Sequence, residues 1–328
     1  MKYRSFSDTG WKVSEIGLGC WQIGWCWGDV SDSAAKNLLF EAIDKGINFF
    51  DTSDMYGDGR SEKLLSELIK SSNDRIYVTT KLGRRTRGTD YQKGYKHAHM
   101  EEFIDRSLKN LNIECIDLLQ LHCPPNEICS DPETYELLDK IVQKGKILHY
   151  GVSVHNLDDA YSAIKFPNVK SIQLVFNIFR QKPLDHFFQE AKNNNVAIIA
   201  RGPLASGLLA GNINKNTIFP KDDHRNYNID GSAFNIGDTF SGVNLDKGIT
   251  AVKEIKKVIS EDNIKISQFA LKWILSFDEV TVAIPGAVNS NQVNINAMAS
   301  ELKNINHHKK SIREIYEKYI KQDVHHKW

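Results

Sequence analysis

Apolar residues run along this chain in eight blocks of strand length: Ile16–Trp21, Ile47–Ser53, Ile76–Gly83, Ile116–His122, Ile147–Val154, Ile172–Phe179, Val196–Leu204 and Val280–Gly286. Between them, Ser33–Lys45, Ser61–Lys70, His99–Leu111, Pro132–Lys144, Leu157–Lys165 and Leu184–Asn195 carry apolar residues every three or four positions, the spacing of an amphipathic helix. Strands that alternate with helices pair in parallel, and near-continuous Ile, Val, Leu and Phe runs mark strands covered on both faces. Eight such units predict a closed (β/α)8 TIM barrel rather than an open sheet. Ahead of them, KYRSF and WKVSEIG flank a Thr9-Gly10 turn and predict a β-hairpin that plugs the barrel bottom.

No linker interrupts the alternation, so residues 1–328 are expected to form a single barrel domain. The Asn/Asp/Gly-rich stretch 205–246, after the seventh strand, is too long for an ordinary connection and predicts a cover over a binding site. Beyond it, Lys247–Ile259, Ile266–Ser276, Gln292–Leu302 and His308–Ile320 read as helices, and 303–328 forms a last helix and tail.

Composition removes several function classes. The 42 Lys+Arg nearly cancel 41 Asp+Glu, leaving net charge +1 and no footprint for nucleic acid or an anionic membrane. A small-molecule partner is expected instead, and the pattern leaves a homo-oligomer open. The first residues lack the apolar core of a signal peptide and no apolar run is long enough to span a bilayer, which predicts a cytoplasmic protein. Five cysteines without a C-x-x-C pair predict neither disulfides nor zinc.

The chemistry concentrates where the second, third and fourth strands end. INFFDTSDMYG, IYVTTKLG and IDLLQLH place Asp51, Lys81 and His122 at strand ends, with Tyr56 just beyond the first. At the C-terminal mouth of a parallel barrel these four side chains converge. A Tyr beside a Lys at such a mouth suits a reaction that must deliver a proton to an oxygen developing negative charge. Tyr56 can supply it, and a neighbouring Lys81 ammonium would lower a phenol pKa of ~10. Asp51 is the carboxylate placed to hold Lys81 charged, and His122 can hydrogen-bond a substrate oxygen as a neutral imidazole. Singly, each is an ordinary cap or packing residue; together, four polar groups at three buried strand ends are costly without a shared purpose.

FFDTSDMYG, TTKLG, LQLH, GVSVHN, IQLVFNIF, ARGPLASGLL and AIPGAVNSNQVNIN, in this order, resemble the aldo-keto reductase family, in particular its bacterial and plant branch. The resemblance runs from Ile16 to about Ala299. It implies an NAD(P)H-dependent oxidoreductase that reduces an aldehyde, ketone or sugar carbonyl, or oxidises the alcohol, with Asp51, Tyr56, Lys81 and His122 as catalytic tetrad. A nicotinamide-binding regulatory subunit of the same fold, with little turnover, is the alternative it carries.

On the cofactor side, Ser153, Asn156 and Gln173 offer hydroxyl and amide groups suited to a nicotinamide carboxamide. The family uses the corresponding Ser and Gln; Val154 stands where many relatives have Asn, which shifts that contact to Asn156. Gly202, Pro203, Leu204, Ser206, Gly207 and Leu208 after the seventh strand, with Ile284 and Gly286 after the eighth, form the expected pyrophosphate site of backbone N–H groups and a helix N-terminus. Gly19, Trp21 and Asp51 complete the cofactor set, Gln292 and Asn296 match the adenine side, and Arg201 points either to the mouth or to the helix layer. NADP(H) is the implied cofactor, yet Val288 replaces the usual cation two residues after IPG, leaving NAD(H) or dual use open.

Trp21, Trp25 and Trp27 follow the first strand and are expected to wall the substrate pocket beside Tyr56 and His122. Neither GLGCWQIG nor YGDGR has the third Gly of a dinucleotide fingerprint. His97-Ala98-His99 precedes its helix, away from any strand end, and reads as an exposed turn and not a metal site.

Overall fold

A computed structural model describes residues 1–24, 30–84, 95 and 97–328. Tyr3–Phe6 (β1) pairs antiparallel with Trp11–Ser14 (β2), forming the expected hairpin. Eight further strands then follow in chain order: Leu18–Gly19 (β3), Phe49–Asp51 (β4), Tyr77–Leu82 (β5), Ile116–His122 (β6), Ile147–Ser153 (β7), Val169–Val175 (β8), Ala197–Arg201 (β9) and Val280–Ala283 (β10). Each pairs in parallel with the next. The ends meet as well, because Gly17 N donates to Ala283 O at 2.8 Å and Gly19 N to Pro285 O at 3.0 Å, with parallel bridges Ile16–Ala283 and Gly19–Gly286. The fold is a (β/α)8 TIM barrel.

Two apolar cores hold it. The larger fills the layer between strands and helices, which is why all seven residues of β6 are buried. The smaller lies inside the barrel, where Phe6, Trp11 and Val13 of the hairpin meet Phe49, Leu118, Ala197, Ile199, Val282 and Ile284. Phe6 stacks on Phe49 with centroids 5.7 Å apart, and Trp11 on Tyr77 at 4.7 Å. The hairpin thus seals the bottom, and Phe6→Ala would cost ~3–5 kcal/mol as a large-to-small change in a filled core.

The structure moves three expected boundaries. The sixth block pairs from Val169 and leaves the sheet after Val175, because Phe176 packs outward among Phe188, Trp273 and Phe277 with centroids 4.7, 5.3 and 5.5 Å away. The helix expected from His99 starts at His97, so the His-x-His pair opens a helix instead of forming a turn. The 205–246 cover is not bare loop: it contains helical turns at Ala205–Ala210, His224–Tyr227, Ile236–Asp238 and Phe240–Gly242. Among the described residues no helix is long and apolar enough to cross a membrane.

Candidate active site

Parallel register brings the strand ends together. Asp51 closes β4, Lys81 lies next to the end of β5, His122 closes β6, and Tyr56 sits in the turn that follows β4. Lys81 Nζ is the hub, donating to Asp51 Oδ1 at 2.5 Å and Thr52 O at 2.8 Å, with Tyr56 OH at 3.4 Å. Asp51 Oδ2 takes two more bonds, from Gln173 Nε2 at 2.7 Å and Gln120 Nε2 at 3.3 Å, and Gln120 also donates to Thr79 Oγ1 at 2.8 Å. A buried ion pair survives only when its remaining valences are used, and here they are. His122 stands edge-on to Tyr56, ring centroids 6.0 Å apart, with Nδ1 3.2 Å from Ser53 Oγ.

Burial and charge set the proton affinities. Burial raises the Tyr56 pKa above its ordinary value and the Lys81 ammonium offsets only part of that, so the net lowering expected from the sequence is corrected. Burial pushes Lys81 down, but Asp51 and Tyr56 more than compensate and hold its pKa above normal. His122 lies well below the usual imidazole range, first through burial and then through Arg84, Lys81, Arg201 and His155. It is therefore neutral at physiological pH, able to donate from one nitrogen only. In neighbouring Cys123 burial pushes the thiol up, while His155 and Arg201 pull it down to about 6.

The predicted cofactor residues divide. Ser153 and Gln173 meet at the mouth, Ser153 Oγ donating to Gln173 Oε1 at 3.4 Å while the other end of the amide holds Asp51. Asn156 does not join them: its Oδ1 caps the next helix by accepting from Asp159 N at 2.9 Å, and its Nδ2 donates to Asp159 Oδ2. Gly19 packs against the end of β10, where an added Cβ would meet Ile284 O at 3.0 Å, so it closes the barrel. Arg201 turns to the mouth, paired with Asp238 and with Nη2 3.1 Å from Val154 O and 3.3 Å from His155 Nδ1.

The segment Gly202–Leu208 passes through three successive non-glycine and glycine left-handed positions, Ala205, Ser206 and Gly207, with φ 47, 53 and 90°. Left-handed non-glycine residues cost ~1–3 kcal/mol each and collect at sites whose shape matters. Its N–H groups are not all available as expected, because Ala205 N turns to Gly202 O and Gly207 N to Leu204 O. On the other side, Val288 N donates to Gln292 Oε1 at 2.9 Å and Asn296 Nδ2 to Gly286 O at 3.5 Å, next to the N-terminus of the helix Ser290–Met298.

Several contributors carried no motif. Ser53 and Gln120 look like ordinary strand-end residues and are seen only through their partners. Arg225 lies in the cover with Nη1 3.5 Å from the Cβ position of Gly207, a cation beside the strained loop; its place in the otherwise Asn/Asp-rich 205–246 stretch was the available signal. Trp21 stacks toward Tyr56 at 6.3 Å and meets His224 and Phe234 of the cover at 4.9 and 6.2 Å. The cover thus lies across the mouth. Trp25 and Trp27 fall outside the described residues. Among those described, Cys20, Cys115, Cys123 and Cys129 form no disulfide, and one metal-type group exists, Asp262, His307 and His308 with ligand atoms within 4.8 Å of one another, built from none of the strand ends.

The chain thus carries a buried Asp-Lys-Tyr network and a histidine at the C-terminal rim of a parallel barrel, the class of fold and site that the comparisons identify. The Aldo/keto reductase family model matches residues 15–319, and the chain belongs to that family. It is 29% identical over 297 residues to the aldo-keto reductase YhdN of Bacillus subtilis, covering 89% of this chain and 87% of that one. It is 28% identical over 319 residues to a probable voltage-gated potassium channel subunit beta of Arabidopsis thaliana, covering 92% of each. Among solved structures, the glycerol dehydrogenase AKR11B4 of Gluconobacter oxydans superposes with TM-score 0.80 at 28% identity, covering 99% of this chain and 96% of that one.

Proposed function

We propose that the protein reduces the carbonyl of an aldehyde, ketone or sugar, or runs the reverse oxidation, with NADP(H) as cofactor and Tyr56 as acid/base. The carrying observation is the Lys81 ammonium, which touches both Asp51 and the Tyr56 hydroxyl at a buried strand end. The bound nicotinamide nucleotide would supply or accept the hydride. Ser153 and Gln173 would hold its amide end, the Gly202–Leu208 loop with Arg225 its phosphates, and the Ser290–Met298 helix start its far side. That donor set fits a dinucleotide: hydroxyl and amide at the mouth, then a strained loop with a cation beside it.

In the reduction, neutral His122 orients the carbonyl oxygen toward Tyr56, whose proton neutralises the alkoxide as it forms. Lys81 stabilises the phenolate left behind, and Asp51 keeps Lys81 charged. Trp21, with His224 and Phe234 above it, screens the reaction from water. Tyr56→Phe should cut kcat by ~10²–10⁴-fold while nucleotide affinity persists, since it removes one positioned proton and little else. Retained turnover in that variant would end the assignment. Structures of Klebsiella pneumoniae aldo-keto reductases were solved with NADP and with NADPH; these match at 20 and 21% identity and speak for the fold.

A regulatory subunit that binds nucleotide with little turnover is the competing reading, favoured by the likeness to the plant channel subunits. Tight nucleotide binding with no multiple turnover across a carbonyl and sugar panel would decide for it. The complete relay supports turnover.

A further inference from the structure

The cover is fastened at two sides, and only one of them faces the proposed nucleotide site. On that side Ser206 Oγ donates to Asp238 O at 3.1 Å and accepts from Phe240 N at 3.1 Å, Arg201 pairs with Asp238, and Asn177 Nδ2 bridges Gly202 O and Ser241 Oγ at 2.8 Å each. Every one of these bonds ties the segment Ile236–Gly242 to the strained loop or to a strand end beside it.

On the opposite side the same segment rests on Trp328 and, at Gly237, equally on Arg180, whose Nη1 lies 2.9 Å from the Cβ position there. Trp328 is 8% exposed, and its indole occupies the space that side chains would need at both Gly237 and Gly242: an added Cβ would come within 2.9 Å of Cζ2 and 2.4 Å of Cη2 respectively. The ring also receives the Arg180 guanidinium at 3.6 Å, and Arg180 Nη1 has no hydrogen-bond partner among the described residues. A buried cation over an indole is a favourable contact that water cannot replace. The residues before Trp328 are pinned in turn, His325 by Tyr316 OH at 2.8 Å and Asp185 at 3.0 Å, and Asp323 by Lys247 at 2.8 Å. Beside the ring lies an open cavity of about 600 Å³ lined by Ile229, Ile236, Val243, Lys247, Asp323 and Lys327. The segment has room to withdraw outward, and Trp328 with Arg180 occupies its back.

We propose that Trp328, packed against Arg180 and the Gly237/Gly242 pair, is a positioning residue for the nucleotide: it latches Ile236–Gly242 against Ser206 and so sets how tightly the cover grips the phosphates. This rests on the nucleotide-binding reading above. A latch fixed before binding spares the bound state the cost of ordering the segment, which appears as affinity and slow release rather than as chemistry.

The test uses the full chain and two routes to the same contact. Trp328→Ala removes the ring, and Gly237→Ala crowds the place where the ring and Arg180 meet the segment. In nucleotide-free protein, both should speed amide hydrogen exchange across Ile236–Gly242 while β4 to β6 stay protected. In fluorescence titration with NADPH, both should raise Kd by about tenfold, a loss of the size one preorganised contact produces. Trp328→Phe, which keeps an aromatic face, should recover most of it, and carbonyl KM at saturating NADPH should not move. Unchanged exchange in both variants would overturn the latch, and faster exchange with unchanged Kd would overturn its role in grip. Wild-type protein that binds no nucleotide would instead overturn the cofactor reading, leaving the exchange result to judge the latch by itself.

Discussion

The two halves of the mouth are built on different principles. In the half contributed by β4 to β6, side chains do the work: Asp51, Lys81, Tyr56 and His122 are set by strand register and bound to one another. In the half contributed by the β9 and β10 ends, the proposed nucleotide contacts rest on backbone shape, through left-handed residues at 205–207 and a helix start at Ser290. Function made from side chains shows up as residue types in a sequence. Function made from backbone shows up only as permissive residues, whose atoms are then shared with caps and turns.

The largest test of this contrast removes Lys81. Lys81→Ala leaves the Asp51 carboxylate buried without its cation, so stability should fall by ~3–5 kcal/mol and turnover by ~10²–10⁴-fold. Thermal unfolding and steady-state kinetics read the two losses, and a variant that loses only activity would mean Asp51 does not depend on the pair. The pH profile comes next. With the Tyr56 pKa held above its ordinary value, reduction needs no deprotonation and should stay level through neutral pH, falling only above ~10. With His122 held low, no loss should appear between pH 5 and 7, the window where an unperturbed imidazole of pKa ~6.5 would charge. A drop in kcat/KM near pH 6.5 would contradict the neutral histidine.

Smaller effects are expected in the backbone-built half. Val288→Arg restores a cation after the Ile284-Pro285-Gly286 turn and should shift preference toward NADPH over NADH by about tenfold, the worth of one charge-assisted phosphate contact of ~1.5 kcal/mol. An unchanged ratio of the two Kd values would show that the 2′-phosphate lies elsewhere. Smallest is Asn156→Ala, which removes a helix cap and should cost ~1 kcal/mol of stability without changing nucleotide Kd. A weakened Kd would return Asn156 to the binding set.

Legibility followed the same divide. The eight blocks and the hairpin could be read because strands buried on both faces are apolar without interruption, and β6 forms over the very residues the pattern marks. The Ile172–Phe179 block misled because an outward-packing aromatic run is as apolar as a strand, and periodicity does not say which layer Phe176 fills. The relay could be read from Asp51, Lys81 and His122 at strand ends, but not the raised Tyr56 pKa, since burial is a tertiary quantity. Asn156, Gln292 and Gly19 read as ligand contacts, and the sequence did not show that they also cap, brace or close the barrel. Ser53 and Gln120 were silent, because nothing local distinguishes a serine or a glutamine whose partner arrives from another strand.

Asp51 has a meaning beyond the reaction. Through Lys81, Gln120 and Gln173 one carboxylate fastens β4 to β5, β6 and β8, so four staves of the barrel are tied at the rim by a single knot. Polar groups gathered for chemistry usually weaken the fold that hosts them. Here the knot proposed to serve the chemistry also keeps the vessel from spreading at its open end.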